Sequence, residues 1–381
     1  MNLIELCAGY GSQALAFKKA GIPYDIVAWS EFDPESNKPL DSQPAVIAHN
    51  LLHPEAKGRN LGDMTKIDWE AWKREHSDIE IDLLTYSTPC QSISQAGLQH
   101  GLAEGSGTRS SILWYTENAV NVLRPKYLLQ ENVKALVSKK FRPDFFRWCR
   151  KLENLGYTNH VKVMNAADYG IPQHRERVFM LSVRNDIGRD TFKFPTPWQL
   201  ETVLADVLEE EVDAKFFLRD EMVQQFLENN EEEVDEMLRQ NRKFKIISWS
   251  RDDSGNVVKR PLRDICNALT SRCGGGIVND DSGMGNTTPY VLCIRYTETD
   301  NVEYYGIRKL TPRECFRLMD VEDADFDKLL ATNENGWRLL PNSALYKLAG
   351  NSIVVNCLAC IYKQIWQPDE RYKAGEQMTL F

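Results

Sequence analysis

The chain has 381 residues, enough for two or three domains with full cores, so it is not a peptide-sized binding module. Hydrophobic residues make up 42% and charged residues 27%, and no run of about 18 apolar residues occurs, so we expect no membrane span. The formal net charge is -9, but residues 200–238 hold 14 acidic and two basic residues, which leaves the rest of the chain mildly basic.

The amino terminus and the cysteines both indicate a cytoplasmic protein. The first residues enter a strand-like segment without a basic leader, so we expect neither a signal peptide nor a transit peptide. Nine cysteines, an odd number scattered along the chain, favour reduced thiols over a disulfide framework. Cys357 and Cys360, like His49, His53 and His76, lack the further ligands of a metal site, so we expect no metal and assign the cysteine pair to core packing.

Short apolar runs alternate with helical patterns in the first half of the chain. The runs that predict strands are residues 4–6, 26–28, 83–86, 127–129 and 178–183. Helical patterns occupy residues 14–20 and 112–123, among others. This rhythm predicts an α/β, Rossmann-like domain with a mainly parallel sheet, helices on both faces, and ligands at the carboxyl ends of the strands.

The second half of the chain is built differently. The βα rhythm stops near residues 194–197, and apolar residues at helical spacing between 223 and 238 predict a helix with a polar outer face. Residues 244–306 combine β-rich runs at 245–249 and 290–296 with a glycine loop, which predicts a smaller, irregular, β-rich domain. Residues 239–272 hold nine basic and three acidic residues, typical either of a phosphate-facing surface or of a solvated one. Residues 351–366 predict a closing helix.

A glycine-rich turn follows the first predicted strand and opens a helix. Gly9-Tyr10-Gly11, with Glu31 at the end of the second strand, fits a nucleotide-binding fingerprint, because glycines allow close backbone approach and a carboxylate accepts hydrogen bonds from ribose hydroxyls. The pattern does not choose between NAD and S-adenosylmethionine. Asp63 is either an acceptor for an adenine amino group or a helix N-cap.

A cysteine follows the third predicted strand. The run Thr88-Pro89-Cys90-Gln91 brings the Cys90 thiol to the ligand-bearing edge of the sheet. Such a thiol acts as a nucleophile when its surroundings favour the thiolate. The alternative at this point is a small hydrophobic core residue.

Two further motifs follow the next strands. Glu131 ends the fourth strand, and if the third and fourth strands are neighbours it lies beside Cys90, where a carboxyl enclosed by protein can keep a proton near neutrality. Arg175 and Arg177, two residues apart, share a face of the following strand and can hold a carbonyl or phosphate oxygen. The alternatives are a helix-capping acid and a salt-bridged strand edge.

Taken together, the motifs resemble the DNA cytosine-5 methyltransferases of bacterial or phage type, in order and spacing, across most of the chain. They are Gly9-Tyr10-Gly11, Glu31, Pro89-Cys90-Gln91, Glu131-Asn132-Val133, Gln173-x-Arg175-x-Arg177 and Ala349-Gly350-Asn351-Ser352. The resemblance implies transfer of a methyl group from S-adenosylmethionine to carbon 5 of a flipped-out cytosine in a specific duplex DNA sequence, through a covalent cysteine adduct.

The resemblance also implies roles for individual residues. The catalytic set is Cys90, Glu131, Arg177, Arg175, Pro89 and Gln91. The set that binds S-adenosylmethionine, and its product S-adenosylhomocysteine, is Cys7, Ala8, Gly9, Tyr10, Gly11, Glu31, Phe32, Asp63, Met64, Asn351 and Ser352. The DNA-binding set is Ser94, Arg109, Leu269, Thr270, Arg272, Gly274 and Gly275.

The implied domain plan has four parts. Residues 1–192 form the catalytic and cofactor-binding domain, 193–306 the target-recognition domain, 307–344 a hinge, and 345–381 a segment that rejoins the catalytic domain. We expect a monomer that acts on double-stranded DNA; a cognate restriction endonuclease, a phage role and a regulatory role stay open. The alternatives are a tRNA-directed cytosine-5 methyltransferase, an NAD-dependent oxidoreductase, and a DNA-binding protein without catalysis.

Overall fold

The computed structural model describes residues 1–90, 92–93, 101–188, 192–228, 230–240, 243–247, 250–251, 257–258, 262–270, 289–296 and 302–367. The strands are β1 Asn2–Leu6, β2 Asp25–Ser30, β3 Leu83–Tyr86, β4 Tyr127–Val133, β5 Tyr157–Asn165, β6 Gln173–His174, β7 Glu176–Arg184, β8 Phe244–Ile247, β9 Ser250–Arg251, β10 Val257–Val258, β11 Cys266–Asn267, β12 Tyr290–Tyr296 and β13 Val302–Lys309. The helices are α1 Ser12–Ala20, α2 Pro44–Leu52, α3 Trp69–Glu75, α4 Thr116–Leu123, α5 Arg142–Asn154, α6 Asp220–Glu228, α7 Glu231–Arg239, α8 Pro312–Arg317, α9 Asp323–Lys328, α10 Asn342–Asn351 and α11 Val355–Trp366.

The chain divides into two compact units. The first contains Met1–Asn165, Glu176–Trp198 and the chain from Ile353 onward, and the second contains Ala166–Arg175 and Gln199–Ser352. These limits differ from the predicted domain boundaries. Residues 166–175 join the second unit because β6 pairs with β11, and the segment predicted as a hinge joins it because β13 pairs with β12. The order of the elements along the chain does not predict either of these two strand pairings.

A six-stranded sheet in the order β2-β1-β3-β4-β7-β5 forms the centre of the first unit. The pairs β1–β2, β1–β3 and β3–β4 are parallel, which confirms the mainly parallel α/β fold. The strand predicted at residues 178–183 is antiparallel to both β4 and β5. Strand β5 was not predicted, because its sequence mixes polar and apolar residues as edge strands often do.

Side chains alternate between the two faces of this sheet. On one face, Phe17 of α1 stacks on Tyr362 of α11 with 4.2 Å between ring centroids. On the other face, Trp148 of α5 donates from Nε1 to the hydroxyl of Tyr86 of β3 at 3.1 Å, and Trp114 meets Trp148 edge to face. Both faces are therefore covered, as a parallel sheet requires.

The second unit has its own smaller core. The antiparallel sheet β13-β12-β8 packs against α6 and α7 through Phe226, Met237, Ile247 and Leu292, among other buried residues. The acidic segment forms two helices rather than one. Of the run Glu231–Glu233, which we expect to face water, Glu231 and Glu232 are exposed and Glu233 is partly buried. The β-rich character predicted for this region is confirmed by strands β8 and β12.

The closing helix is interrupted. Helix α10 ends at Asn351 and α11 begins at Val355, with Ser352 in an extended conformation between them. Within the described residues, this stretch, Asn342–Trp366, has the length and apolar composition of a membrane span, but most of it is buried in the protein. Cys357 and Cys360 lie buried in α11, which confirms core packing, and none of the eight described cysteines forms a disulfide.

Candidate functional site

The carboxyl ends of three neighbouring strands lie side by side in the first unit. Leu6, the last residue of β1, is in register with Ser30 at the end of β2 and with Tyr86 at the end of β3. The loops that follow are tied to these ends: Ala8 N–H donates to the Ser30 carbonyl at 3.1 Å, and Ser87 N–H donates to the Leu6 carbonyl at 3.4 Å. The predicted cofactor and catalytic loops of this unit therefore start from one edge of the sheet.

The glycine turn adopts backbone conformations that favour glycine. Gly9 has φ +59° and Gly11 has φ +82°, and Gly11 is the N-cap residue of α1. The Gly9 N–H donates to Glu31 Oε2 at 2.7 Å, which joins the two predicted cofactor loops. A Cβ atom on Gly9 would meet no atom within 4 Å, so the turn leaves room above it for a ligand. Ala8 and Tyr10, predicted in the same set, are buried beneath it.

The loop after β2 offers an acceptor and an aromatic surface. Burial raises the pKa of the Glu31 carboxyl, while the hydrogen bond from Gly9 acts in the opposite direction. Asn60 accepts from Glu31 N–H at 3.1 Å and donates to its carbonyl, which fixes the backbone. Phe32 is 37% exposed, unusually high for a ring of its size. A carboxylate beside an exposed ring fits the ribose and base of an adenosine.

Asp63 serves as a cap in this structure. It accepts from Thr65 N–H at 3.0 Å and from Thr65 Oγ1 at 2.8 Å, which confirms the N-cap alternative. Burial alone would raise the pKa of Asp63, but hydrogen bonds from Thr65 and Lys66 outweigh it and lower that pKa. Beside it, Met64 Sδ lies 3.5 Å from Cys7 Sγ, and burial raises the pKa of the Cys7 thiol well above its ordinary value. A contact with adenine stays a prediction.

The loop that carries Cys90 is braced from two sides. Ser110 Oγ donates to the Pro89 carbonyl at 2.7 Å, and Ile93 N–H donates to the Cys90 carbonyl at 2.9 Å. The Cys90 side chain is partly buried against the main core of the first unit. Its backbone is therefore fixed from both sides, and the residue as a whole is neither fully buried nor fully exposed. Ser110 was not predicted, since nothing in the sequence relates it to a residue 21 positions earlier.

Strand β4 brings the acidic residue to the cysteine loop. Strands β3 and β4 are neighbours with Tyr86 opposite Gln130, so Glu131 and Cys90 both lie just beyond that register. Asn132 Nδ2 donates to the Thr88 carbonyl at 3.1 Å, a bond that ties the two motifs directly. Its role as a link was not predicted, although the motif that contains it was.

Glu131 forms an ion pair with Arg177. Strand β7 is antiparallel to β4 with Arg177 opposite Val133, so the two side chains share one face of the sheet. Arg177 Nε lies 3.2 Å from Glu131 Oε1, and its Nη1 donates to the Glu176 carbonyl at 2.8 Å. The ion pair brings the predicted acid and the predicted guanidinium together, while the protonation state expected for Glu131 stays a prediction.

Arg175 lies in the second unit, where it joins distant backbone segments. Its guanidinium is buried, and it donates to the carbonyls of Leu269 at 2.7 Å, Gly350 at 3.0 Å and Ser352 at 2.5 Å. These bonds help to end α10 at Asn351, which is exposed. Arg175 is therefore held by backbone carbonyls of the second unit. Its spacing from Arg177 predicted instead that the two arginines share one face of a strand.

The predicted DNA-binding residues have varied surroundings. Arg109 lies 3.5 Å from Asp33 Oδ1 and 3.1 Å from Glu35 Oε1, so it is ion-paired in this structure. Leu269 is 1% exposed and its N–H donates to Gln173 Oε1 at 2.9 Å; this corrects its assignment as a contact residue, because it supports the backbone instead. Thr270 is partly buried. Outside the described residues lie Gln91, Ser94, Arg272, Gly274 and Gly275.

The sheet and its loops define an α/β fold in which a glycine turn and a cysteine loop follow the neighbouring strands β1 and β3. Residues 1–367 match the model of the C-5 cytosine-specific DNA methylases. Type II methyltransferase M2.ScrFI of Lactococcus lactis subsp. cremoris is 33% identical, over 96% of this chain and 99% of that protein. Type II methyltransferase M.HhaI of Haemophilus parahaemolyticus is 28% identical, over 95% of this chain and 93% of that protein. The crystal structure of the S. pombe Dnmt2 methyltransferase is 18% identical and covers 95% of this chain and 97% of that one, with a TM-score of 0.59, which shows a shared fold.

The chain belongs to the C-5 cytosine-specific DNA methylase family, as its motifs predicted. It is a methyltransferase that acts on carbon 5 of cytosine in DNA. The family assignment excludes the oxidoreductase and the non-catalytic DNA-binding protein, the two alternatives of other classes. Among the described residues no group of three or more His, Cys, Asp or Glu side chains could hold a metal ion.

Proposed function

We propose that Cys90 is the nucleophile of a methyl transfer to a flipped-out cytosine in duplex DNA, with Glu131 and Arg177 holding the base. The observation that carries this proposal is the ion pair at 3.2 Å between Arg177 and Glu131, which the Asn132 to Thr88 hydrogen bond ties to the cysteine loop. Three groups with complementary chemistry thus lie around one strand edge. The role of Pro89 is to fix the turn that presents the thiol.

The chemistry of the first step follows from these groups. The Cys90 thiolate adds to carbon 6 of the ring, and the electron density gained makes carbon 5 nucleophilic. Glu131 hydrogen-bonds ring nitrogen 3, and Arg177 binds the carbonyl oxygen at carbon 2, where charge develops as the ring loses aromaticity.

The residues of the glycine turn fit S-adenosylmethionine. Glu31 would accept from the ribose hydroxyls, the exposed ring of Phe32 would stack on adenine, and the open space above Gly9 would admit the amino acid portion. When bound there, S-adenosylmethionine would supply a methyl group on a sulfonium to carbon 5, with S-adenosylhomocysteine as the leaving group. Transfer of the carbon-5 proton to water, which acts as the base, then reforms the ring double bond and expels Cys90 as the thiolate with which the reaction began.

The partners follow from the family and the charge pattern. A cytosine stacked in a duplex cannot reach Cys90, so the base leaves the stack at a cost of a few kcal/mol. The second unit, which contains the basic stretch from residue 239, reads the sequence of the duplex. The enzyme acts as a monomer in the cytoplasm, and its type II relatives make a cognate restriction endonuclease the first partner to seek. Preferential methylation of tRNA in a competition assay would contradict the choice of DNA.

The test is transfer of labelled methyl groups to duplex DNA by matched cysteine variants. Cys90→Ser is expected to lose transfer by at least about a thousandfold, because an alcohol is far less nucleophilic than a thiolate. Cys149→Ala removes a buried thiol of the same unit and is expected to keep transfer. Undiminished transfer by Cys90→Ser would refute the role of Cys90.

A further inference from the structure

Three titratable side chains are buried beneath the glycine turn. Glu5 of β1 and His49 of α2 have no exposed surface, and His53, the C-cap residue of α2, is 1% exposed. These three side chains included, no group of three or more His, Cys, Asp or Glu side chains in the described part of the chain could hold a metal ion. Burying titratable groups costs free energy of folding unless they form hydrogen bonds, and these three side chains form such bonds.

Two of these side chains hold the backbone of the turn and of the helix that follows it. Glu5 Oε1 accepts from Ala14 N–H, in the first turn of α1, at 3.2 Å. His53 Nε2 lies 3.1 Å from the Gly11 carbonyl oxygen. Since a carbonyl only accepts hydrogen bonds, Nε2 of His53 carries the proton and donates.

His49 supports the other two. Its Nε2 contacts Glu5 Oε2 at 3.1 Å, and its ring stacks on Trp29 with 3.7 Å between centroids. The His49 and His53 rings lie 4.8 Å apart. Strand β1, helix α2 and strand β2 are thus joined by side chains directly under the turn.

Gly11 leaves no space between the turn and His53. A Cβ atom at this position would lie 2.3 Å from His53 Nε2. The His53 imidazole therefore occupies the volume that a side chain at position 11 would need. It also fixes the distance of the Gly11 carbonyl from α2. Because glycine backbones are the most flexible, a turn with two glycines at positive φ needs such external bonds to keep one conformation.

We propose that His53 is a positioning residue for S-adenosylmethionine, which acts by holding the Gly11 carbonyl and with it the conformation of the Gly9-Tyr10-Gly11 turn. This inference rests on the proposed cofactor site, because it assumes that the turn binds S-adenosylmethionine. Glu5 and His49 fix the adjoining end of α1, so the turn is held from below at Gly11 and Ala14, and from the side by the bond between Gly9 and Glu31.

The test compares two variants of similar size. His53→Leu fills the space without a donor, whereas His53→Gln places an amide N–H near the position of Nε2. We expect His53→Leu to raise the KM for S-adenosylmethionine about tenfold, the effect of about one hydrogen bond, with kcat and the KM for DNA within about twofold. His53→Gln is expected to stay within about threefold of the wild type, and His76→Leu, a control at the end of α3, to leave the KM unchanged.

Direct binding separates this inference from the proposed function. If the wild type binds no S-adenosylmethionine in a calorimeter, the cofactor site itself is refuted. If the wild type binds and His53→Leu binds equally well, only the role of His53 is refuted. Should His53→Leu fail to fold, His53→Asn, whose amide is too short to reach Gly11, replaces it; an unchanged KM in that variant overturns the inference, and a raised KM supports it.

Discussion

At the scale of single residues, the proposed mechanism gives the Glu131 carboxylate two partners at different times. In the structure Glu131 pairs with Arg177, and during the reaction it would face ring nitrogen 3 of the base. The ion pair is largely shielded from water, with the two side chains 10% and 18% exposed, so the electrostatic interaction is stronger than at a surface. The ion pair therefore holds both side chains in the orientation that the proposed mechanism requires before a base binds.

Replacing Glu131 tests this role. We expect Glu131→Gln to lower kcat for methyl transfer about a hundredfold or more, because the amide cannot deliver a proton to the ring, with the KM for S-adenosylmethionine unchanged. Glu176→Gln, whose side chain pairs with Lys134 on the neighbouring surface, is the matched control and should keep kcat. A Glu131→Gln enzyme with the kcat of the wild type would contradict the assignment.

The buried histidines predict a dependence of stability on pH. Burial lowers the pKa of His53 to about 4 and of His49 to about 3, from 6.5. The folded state thus binds fewer protons than the unfolded state between pH 4 and 6.5, and stability falls as pH falls through this window. Burial raises the pKa of Glu5 from 4.5 to about 7, which acts in the opposite direction, since that contribution is lost as pH rises from 4.5 to 7. The two histidines outweigh the single carboxyl below pH 6.5.

A variant without one imidazole isolates this effect. We expect the free energy of unfolding of His53→Gln to fall less steeply between pH 6.5 and 4 than that of the wild type, by about 1.4 kcal/mol per pH unit. Urea denaturation at several pH values measures both slopes. Glu5, His49 and Glu55, which face His53, are kept in both proteins. Equal slopes would show that His53 titrates normally in the folded state.

At the scale of elements, a short 3-10 helix, Arg109–Tyr115, is joined by Arg109 to the loop after β2. Arg109 is 29% exposed and pairs with Asp33 and Glu35, themselves 31% and 72% exposed. Partly exposed pairs contribute only about 0–1 kcal/mol, so a DNA phosphate can replace the carboxylates as the partner of Arg109. The structure therefore agrees with either role.

The salt dependence of DNA binding distinguishes an Arg109 that binds a DNA phosphate from an Arg109 that only pairs with Asp33 and Glu35. If Arg109 binds a phosphate, Arg109→Ala should weaken DNA binding and reduce the slope of log K against log salt by about 0.9. Arg147→Ala, an arginine of α5 paired with Asp144 on the surface, should change neither quantity. A slope identical to that of the wild type in Arg109→Ala would show that this side chain serves only the contact with Asp33 and Glu35.

Much of the first unit could be predicted from the sequence, because local patterns specify it. The strands ending at Leu6, Ser30 and Tyr86 were predicted from apolar runs, and their shared edge follows from parallel pairing. The antiparallel direction of β7 could not be predicted, since no local signal encodes it. The break after Asn351 also escaped prediction, because it depends on Arg175, 177 residues before its acceptor Ser352.

At the scale of the whole molecule, two units with separate cores are formed from interleaved stretches of chain. Arg175 is the clearest support inside the second unit, since it joins the carbonyls of Leu269, Gly350 and Ser352. Hydrogen bonds from a charged donor are stronger than neutral ones, and loss of the donor leaves buried carbonyls unpaired. This explains why a single residue can connect segments so far apart in sequence.

Removal of this guanidinium should therefore destabilise the second unit. We expect Arg175→Met to lower the free energy of unfolding by about 3 kcal/mol or more. Arg263→Ala, an exposed arginine of the same unit, should change it by less than about 0.5 kcal/mol. Chemical denaturation measures both, and a loss below about 1 kcal/mol in Arg175→Met would contradict the supporting role.

The covalent step is tested most directly with duplex DNA in which cytosine is replaced by 5-fluorocytosine. Fluorine cannot leave carbon 5 as a proton does, so after methyl transfer the bond between Cys90 and carbon 6 should persist. We predict a stable protein–DNA complex that needs S-adenosylmethionine, survives denaturation, and yields by mass spectrometry a peptide modified at Cys90. The Cys90→Ser protein should give none. A preparation that methylates ordinary DNA but traps no complex, or a complex joined through another residue, would contradict the account.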